Sequence, residues 1–293
     1  ETLPYIKKGR IGDIGCAVGS WIKLASNEDK FHESDFYGIE VARALFDLCI
    51  QRKNNKEFGN PNVFFAQKNA VEGIVFQPNS INTIHTSSLT HEIESYGGRK
   101  NLLKFIKNRF AELTMGGVWI NRDVVAPDNK ESYIYMKLNR LDGNENDINK
   151  IFNDRGQLKE HLDSLSTFGR FLRFASDFRK DQQDRIDYKI EKINDEEYIY
   201  IKLKDCSEFI SKKDYTDNWE SEMHETFCFW DFNEWKSELQ KVGFKIDKRS
   251  YCFTNPWIVQ NRFVGKVELF RLQNGTLKPI DYPVTNMILI GEK

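Results

Sequence analysis

Two rhythms of apolar and polar positions alternate over the first 125 residues. Short apolar or period-two runs at 10–14 (RIGDI), 35–40 (DFYGIE), 62–66 (NVFFA), 81–87 (INTIHTS) and 118–121 (VWIN) predict strands. Between them, 20–27 and 41–53 read as helices, and 100–113 places Leu102, Leu103, Phe105, Ile106, Phe110 and Leu113 at helical spacing. Gly116-Gly117 turns that last helix into the fifth strand. Strands alternating with helices predict a mostly parallel sheet with both faces covered.

The rhythm breaks after Pro127. As far as Trp230 the chain reads as polar, helical and irregular, with basic residues set among the apolar positions of 158–178. Residues 185–193 and 197–204 alternate about Asn194-Asp195 like a hairpin. A helix at 232–242 and strands at 244–251 and 285–291 resume the first pattern, and 257–265 looks strand-like. The expected division is a core at 1–127, an α+β insertion at 128–230 forming a lid after the fifth strand, and completion of the core sheet at 231–293.

Composition changes this picture little. The 293 residues are 40% hydrophobic and 30% charged, with 43 Lys+Arg against 44 Asp+Glu and a net charge of -1. No global basic field draws the chain to nucleic acid or anionic lipid. The five cysteines form no C-x-x-C pair and no framework of even number, which argues for a reducing, cytoplasmic setting. No apolar run has the length of a membrane span. The histidines are not spaced as metal ligands, so no metal site is expected. The chain begins at Glu1, close before the first strand, which leaves room for a partner domain upstream.

The most informative string is Asp13-Ile14-Gly15-Cys16-Ala17-Val18-Gly19, where the first strand hands over to the first helix. Small residues there let backbone approach a ligand, as at the nucleotide sites of such sheets. The glycine spacing is D-x-G-x-x-x-G, not the dinucleotide G-x-G-x-x-G. A carboxylate at the turn repels a diphosphate and suits an ammonium group.

At these residues the chain resembles the class I S-adenosylmethionine (SAM)-dependent methyltransferases. Asp13, Gly15 and Gly19 match the first motif of that superfamily, with Cys16 inside it, and Glu40 matches the acidic residue that ends its second strand. The resemblance implies a Rossmann-like, mostly parallel seven-stranded sheet with helices on both faces. It implies SAM as cofactor, with Glu40 on the ribose hydroxyls, Asn69-Ala70 beside the adenine and Ser87 near the methionine moiety. Asn69 stands where the family often has Asp.

Methyl transfer is an in-line displacement on a carbon already activated by sulfonium, so alignment dominates and a base is needed only for a proton-bearing acceptor. His91 and Glu92, at the end of the fourth strand, are candidates for base or acceptor contact, the alternative being a helix start that supports the loop. Arg122 and Asp123, at the end of the fifth, face the crevice or pair with each other. The stretch 214–230, with His224, reads as a substrate pocket or a satellite core, and Arg262 as a weaker rim candidate.

The expected function is methylation of a polar small molecule. RNA is the alternative acceptor, through the basic positions of 159–180 with Phe168, Phe171 and Phe174 as stacking rings. A non-catalytic SAM-binding module is the second alternative, and a nicotinamide-dependent oxidoreductase is disfavoured by Asp13 and the missing glycine.

Overall fold

The computed structural model of the chain describes residues 1–182 and 185–293. Its strands are β1 (Arg10–Ile14), β2 (Asp35–Glu40), β3 (Val63–Gln67), β4 (Ile81–Ser87), β5 (Leu113–Val124), β6 (Tyr133–Leu138), β7 (Tyr188–Ile193), β8 (Glu196–Lys202), β9 (Lys245–Ile246), β10 (Tyr251–Phe253), β11 (Val267–Gln273), β12 (Thr276–Pro279) and β13 (Asn286–Glu292). The longer helices include α1 (Ser20–Ser26), α2 (Arg43–Asn54), α3 (Thr90–Glu112), α4 (Arg155–Ser164), α5 (Thr167–Asp177) and α6 (Leu203–Lys212). The chain forms two compact units, one of Glu1–Val124, Asn233–Cys252 and Met287–Lys293, the other of Val125–Phe232 and Phe253–Asn286.

The first unit is organised by a sheet of order β10-β13-β5-β4-β1-β2-β3, and β9 pairs with β13 as an eighth strand beyond the seven expected. The pairs β1–β2, β1–β4, β2–β3 and β4–β5 are all parallel. Their runs are apolar because both faces are covered: Ile11, Ile14, Phe36, Ile81 and Ile84 are buried. Chain order reverses at β1, between β2 and β4, so the carboxyl ends of these strands meet at a topological switch point where such sheets bind ligands. Helix α3 starts ten residues before the helix expected at 100–113 and is broken by Gly98, whose φ of 75° is left-handed.

The second unit has an antiparallel sheet of order β12-β11-β6-β8-β7. The hairpin about Asn194-Asp195 forms with both turn residues left-handed (φ 50° and 63°), as a two-residue turn requires. Strand β6, in a segment read as helical and irregular, is a difference from expectation. So is the hairpin β11–β12, which pairs with β6 and divides the segment 231–293 between the two sheets. The stretch 257–265 is helical over Pro256–Ile258 and Val259–Phe263, because Asn255 Oδ1 accepts the Trp257 N–H and Pro256 opens the first turn.

Helices α4 and α5 are separate elements, each begun by a side-chain cap: Asp154 accepts from Gln157 N–H and Ser166 from Gly169 N–H. Phe168, Phe171 and Phe174 of α5 are buried with Phe178, Phe209 and Leu162. They are core residues, not exposed rings for stacking bases. Arg170 and Arg173 are likewise engaged, the first by Asp214 and the carbonyls of Leu162 and Lys213, the second by Asp177.

Among the described residues, no helix is long and apolar enough to cross a membrane, and no group of three or more His, Cys, Asp or Glu is placed to hold a metal ion. All five cysteines are free thiols.

The loop at Val75-Phe76 is anchored by a fully buried ion pair. Arg109 Nε and an Nη donate to the two Glu112 oxygens at 2.7 Å each, and Glu112 Oε1 also accepts the N–H groups of Val75 (2.6 Å) and Phe76 (3.2 Å). Removing the cation strands a buried carboxylate. Arg109→Met is expected to lower unfolding free energy by about 3–5 kcal/mol, measured by urea denaturation. Surface pairs such as Arg43–Asp47 are expected to contribute less than about 1 kcal/mol in the same assay.

Candidate active site

The turn after β1 is left-handed at Gly15 (φ 71°), Ala17 (φ 46°) and Gly19 (φ 73°). A side chain at Gly15 would also approach Leu89 Cδ1 to 3.0 Å, so both dihedral and space call for glycine. The strain at Ala17 is held by a carboxylate: its N–H donates to Glu40 Oε2 at 2.9 Å, while Glu40 Oε1 accepts from Val41 (2.9 Å) and Ala42 (2.8 Å). Gly15 and Cys16 N–H both donate to the Ile39 carbonyl, and Gly19 N–H to that of Cys16. Four N–H groups of the turn are therefore engaged within the protein.

Beside this turn lies a cleft of about 480 Å³. It falls within the roughly 300–1,000 Å³ common for small-molecule sites. Its apolar wall includes Ile14, Ile39, Val41, Leu45, Leu89 and Ile93, and its polar lining includes Glu40, Lys68, Asn69, Ser87, Ser88 and Glu92. Val41 is 59% exposed and Leu45 36%, apolar surface left uncovered at the end of β2. Of the residues expected to hold the cofactor, Gly15, Glu40, Asn69, Ala70 and Ser87 line the cleft, and Asp13, Cys16 and Gly19 are not among its lining residues. The amide of Asn69 is engaged by its own loop, Oδ1 by Val71 N–H and Nδ2 by Glu72. The Cys16 thiol packs on Cys49, a contact that together with burial pushes it far above its ordinary range.

Asp13 is buried with His85, a residue that sequence reasoning passed over. Asp13 Oδ1 is 2.7 Å from His85 Nδ1. The signal was available in the register, because the parallel pairing of β1 and β4 sets the two residues opposite each other.

At the ends of β4 and β5 the structure joins two expected candidates into a dyad. His91 Nδ1 is 2.6 Å from Asp123 Oδ1. Asp123 Oδ2 accepts from Thr90 N–H (2.7 Å) and Thr90 Oγ1 (2.6 Å), and Val124 N–H donates to Oδ1 (2.8 Å). An ionised carboxylate only accepts, so His91 Nδ1 carries a proton. Burial alone would raise the Asp123 carboxyl, but His91 and the Thr90 and Val124 donors bring it below its ordinary value of 3.8.

No protein-family model matches the sequence, and no curated protein matches it. Solved structures do. A SAM-dependent methyltransferase from Mesorhizobium loti aligns over 97% of this chain and 90% of its own, at 10% identity and a TM-score of 0.50. The chain shares the Rossmann-like fold of that protein.

A SAM-dependent methyltransferase from Methanosarcina mazei is also similar (99% and 95% coverage, 15% identity, TM-score 0.48), as is the YcgJ protein of Bacillus subtilis (98% and 92%, 12%, 0.48). Within this fold the other expected residues are dispersed. Glu92 is exposed and lines the cleft. Arg122 does not pair with Asp123: alternation along β5 turns it to the other face, where it meets Glu1 at 3.1 Å and Ser88 Oγ at 3.4 Å. His224 belongs to the second unit, exposed at a cavity of about 580 Å³ that Asp177, Trp219 and Met223 also line. Trp219, Phe227 and Trp230 are buried. Arg262 lies over the rings of Tyr215 and Trp257.

The depressed Asp123 carboxyl ties stability to pH. A group whose folded pKa is lowered contributes fully above its unfolded value and loses that contribution as pH falls through the folded one. Asp123→Asn is expected to cost roughly 2 kcal/mol or more at pH 7, because the amide cannot accept from all the donors that Thr90, His91 and Val124 supply. The gap between wild type and variant is expected to narrow below about pH 4, in denaturation curves taken from pH 7 to pH 2.5.

Proposed function

We propose that this chain is a SAM-dependent methyltransferase acting on a polar small molecule. The observation that carries the reading is the state of the first crossover turn. A diphosphate site needs free backbone N–H groups and no competing carboxylate. Here the N–H groups of Gly15, Cys16, Ala17 and Gly19 are engaged, and Asp13 and Glu40 add negative charge. That donor set fits an adenosine bearing a cationic tail. Glu40 would accept from the ribose hydroxyls, the exposed Val41 and Leu45 would pack on the base, and Asp13 would face the ammonium group.

Bound SAM supplies an electrophilic methyl group on a sulfonium. What remains for the protein is to hold the acceptor and manage its proton. His91 Nε2 takes the proton of an acceptor hydroxyl or amine, and Asp123, fixed by Thr90 and Val124, orients the imidazole and stabilises its charged form. The near-neutral balance of 43 basic and 44 acidic residues, and the burial of the α5 rings, favour a small acceptor over RNA.

S-adenosylhomocysteine at a hundredfold excess over its Kd is expected to raise Tm by roughly 5 °C, with no shift from NAD. Tight NAD binding without binding of either adenosyl compound would refute the cofactor assignment. With methyl-labelled SAM and a cell extract, label is expected in the low-molecular-weight fraction, and label in RNA would refute the acceptor class. His91→Ala is expected to slow labelling by roughly 100-fold or more while leaving S-adenosylhomocysteine affinity unchanged.

A further inference from the structure

The second unit holds a cavity of about 580 Å³ that no step of the proposed reaction uses. The last turn of α5 places Arg173 and Asp177 on one helix face, and both line it. Leu158 of α4 and Trp219 and Met223, all buried, give the cavity an apolar wall with the half-buried Phe152.

Arg173 is 9% exposed. Its Nε donates to Asp177 Oδ2 at 2.6 Å, and its Nη1 to the carbonyls of Ile148 (3.0 Å) and Lys150 (2.6 Å). Trp219 Nε1 donates to the same Asp177 oxygen at 2.8 Å. Among the described residues, Arg173 Nη2 and Asp177 Oδ1 have no hydrogen-bond partner. Each member of the pair thus keeps one atom unmet, at a depth where an unmet polar group is costly unless something in the cavity completes it.

Charge decides what completes it. The guanidinium and carboxylate together carry no net charge. An anion drawn to Nη2 is repelled by Asp177 close by, and a cation drawn to Oδ1 is repelled by Arg173, so neither gains much. A ligand head with both charges meets both groups at once, each through a charge-assisted hydrogen bond. The apolar wall then takes the body of the same ligand.

We propose that this cavity binds a small zwitterion with an apolar body, of which an α-amino acid with an aromatic or long aliphatic side chain is the simplest case. Its carboxylate meets Arg173 Nη2, its ammonium meets Asp177 Oδ1, and its side chain lies on the apolar wall. The site is built within the second unit and is independent of the cofactor reading.

The test is calorimetric titration of the full chain with L-phenylalanine, with 3-phenylpropionate, which lacks the ammonium, and with phenethylamine, which lacks the carboxylate. Phenylalanine is expected to bind about tenfold or more tighter than either analogue. Asp177→Asn is expected to weaken phenylalanine by about the same factor and to leave 3-phenylpropionate unweakened, because it removes the repulsion of a lone carboxylate along with the attraction of the ammonium. Ser176 lines the cavity from an exposed position outside the pair. Ser176→Trp is expected to abolish phenylalanine binding by filling the space, and serves as the readout should Asp177→Asn not fold.

Absence of phenylalanine binding at millimolar concentration overturns the proposal, as does equal affinity for the three probes. Equal weakening of phenylalanine and 3-phenylpropionate in Asp177→Asn, or undiminished phenylalanine binding in Ser176→Trp, overturns it too.

Discussion

The Glu40 carboxylate joins two loops that the sheet alone would leave independent. One oxygen receives the N–H of Ala17, in the turn after β1, and the other those of Val41 and Ala42, which start the chain toward α2. Without that acceptor, Ala17 would have neither a reason to adopt its left-handed backbone nor a partner for its N–H. The contact also determines which ligand the turn can take. An N–H already bound to a carboxylate does not serve a phosphate, and the added negative charge favours a ligand of opposite sign.

The fold match at 10% identity would be compatible with many functions, because function is set by sites rather than by folds. Methyl transfer is proposed from the chemistry at the strand ends. The turn is acidic and has its N–H groups engaged, and beside it His91 is held by Asp123. Either feature alone is weak: buried carboxylates often only stitch loops, and a histidine held by an aspartate is often structural. Together at one edge of a parallel sheet they are the basis of the function proposed above.

Much of the first unit was legible because its strands are buried on both faces and punctuated by glycine. Residues 10–14, 35–40 and 81–87 were read with the boundaries the structure gives. The second unit was less legible. Strand β6 (YIYMKL) sits between polar stretches that dilute its pattern, and the β11–β12 hairpin was missed although Asn274-Gly275 is the standard residue pair for a two-residue turn and is left-handed at both positions (φ 50° and 77°). Phe168, Phe171 and Phe174 looked available to bases because sequence shows spacing but not what packs on the apolar face. Within the site, Asp13, Glu40, His91 and Asp123 were legible as types at strand ends. Their partners were not: His85 is 72 residues from Asp13, and only the β1–β4 register brings the pair together.

Three carboxylates lie at the ends of three strands of this sheet, and their surroundings satisfy them unequally. An ionised carboxylate offers about four acceptor positions. Glu40 uses three on backbone N–H groups, and Asp123 uses its positions on Thr90, His91 and Val124. Both are stitches whose removal loosens a loop. Asp13 accepts from one side chain, His85, and from no backbone group among the described residues. A nearly buried carboxylate is costly to leave so sparsely satisfied unless something else completes it. The fold tolerates that cost at the carboxyl end of β1, beside Ile14 and Gly15 of the cleft wall. The unequal satisfaction of three otherwise similar groups separates two that stitch loops through backbone N–H groups from one held by a single side chain.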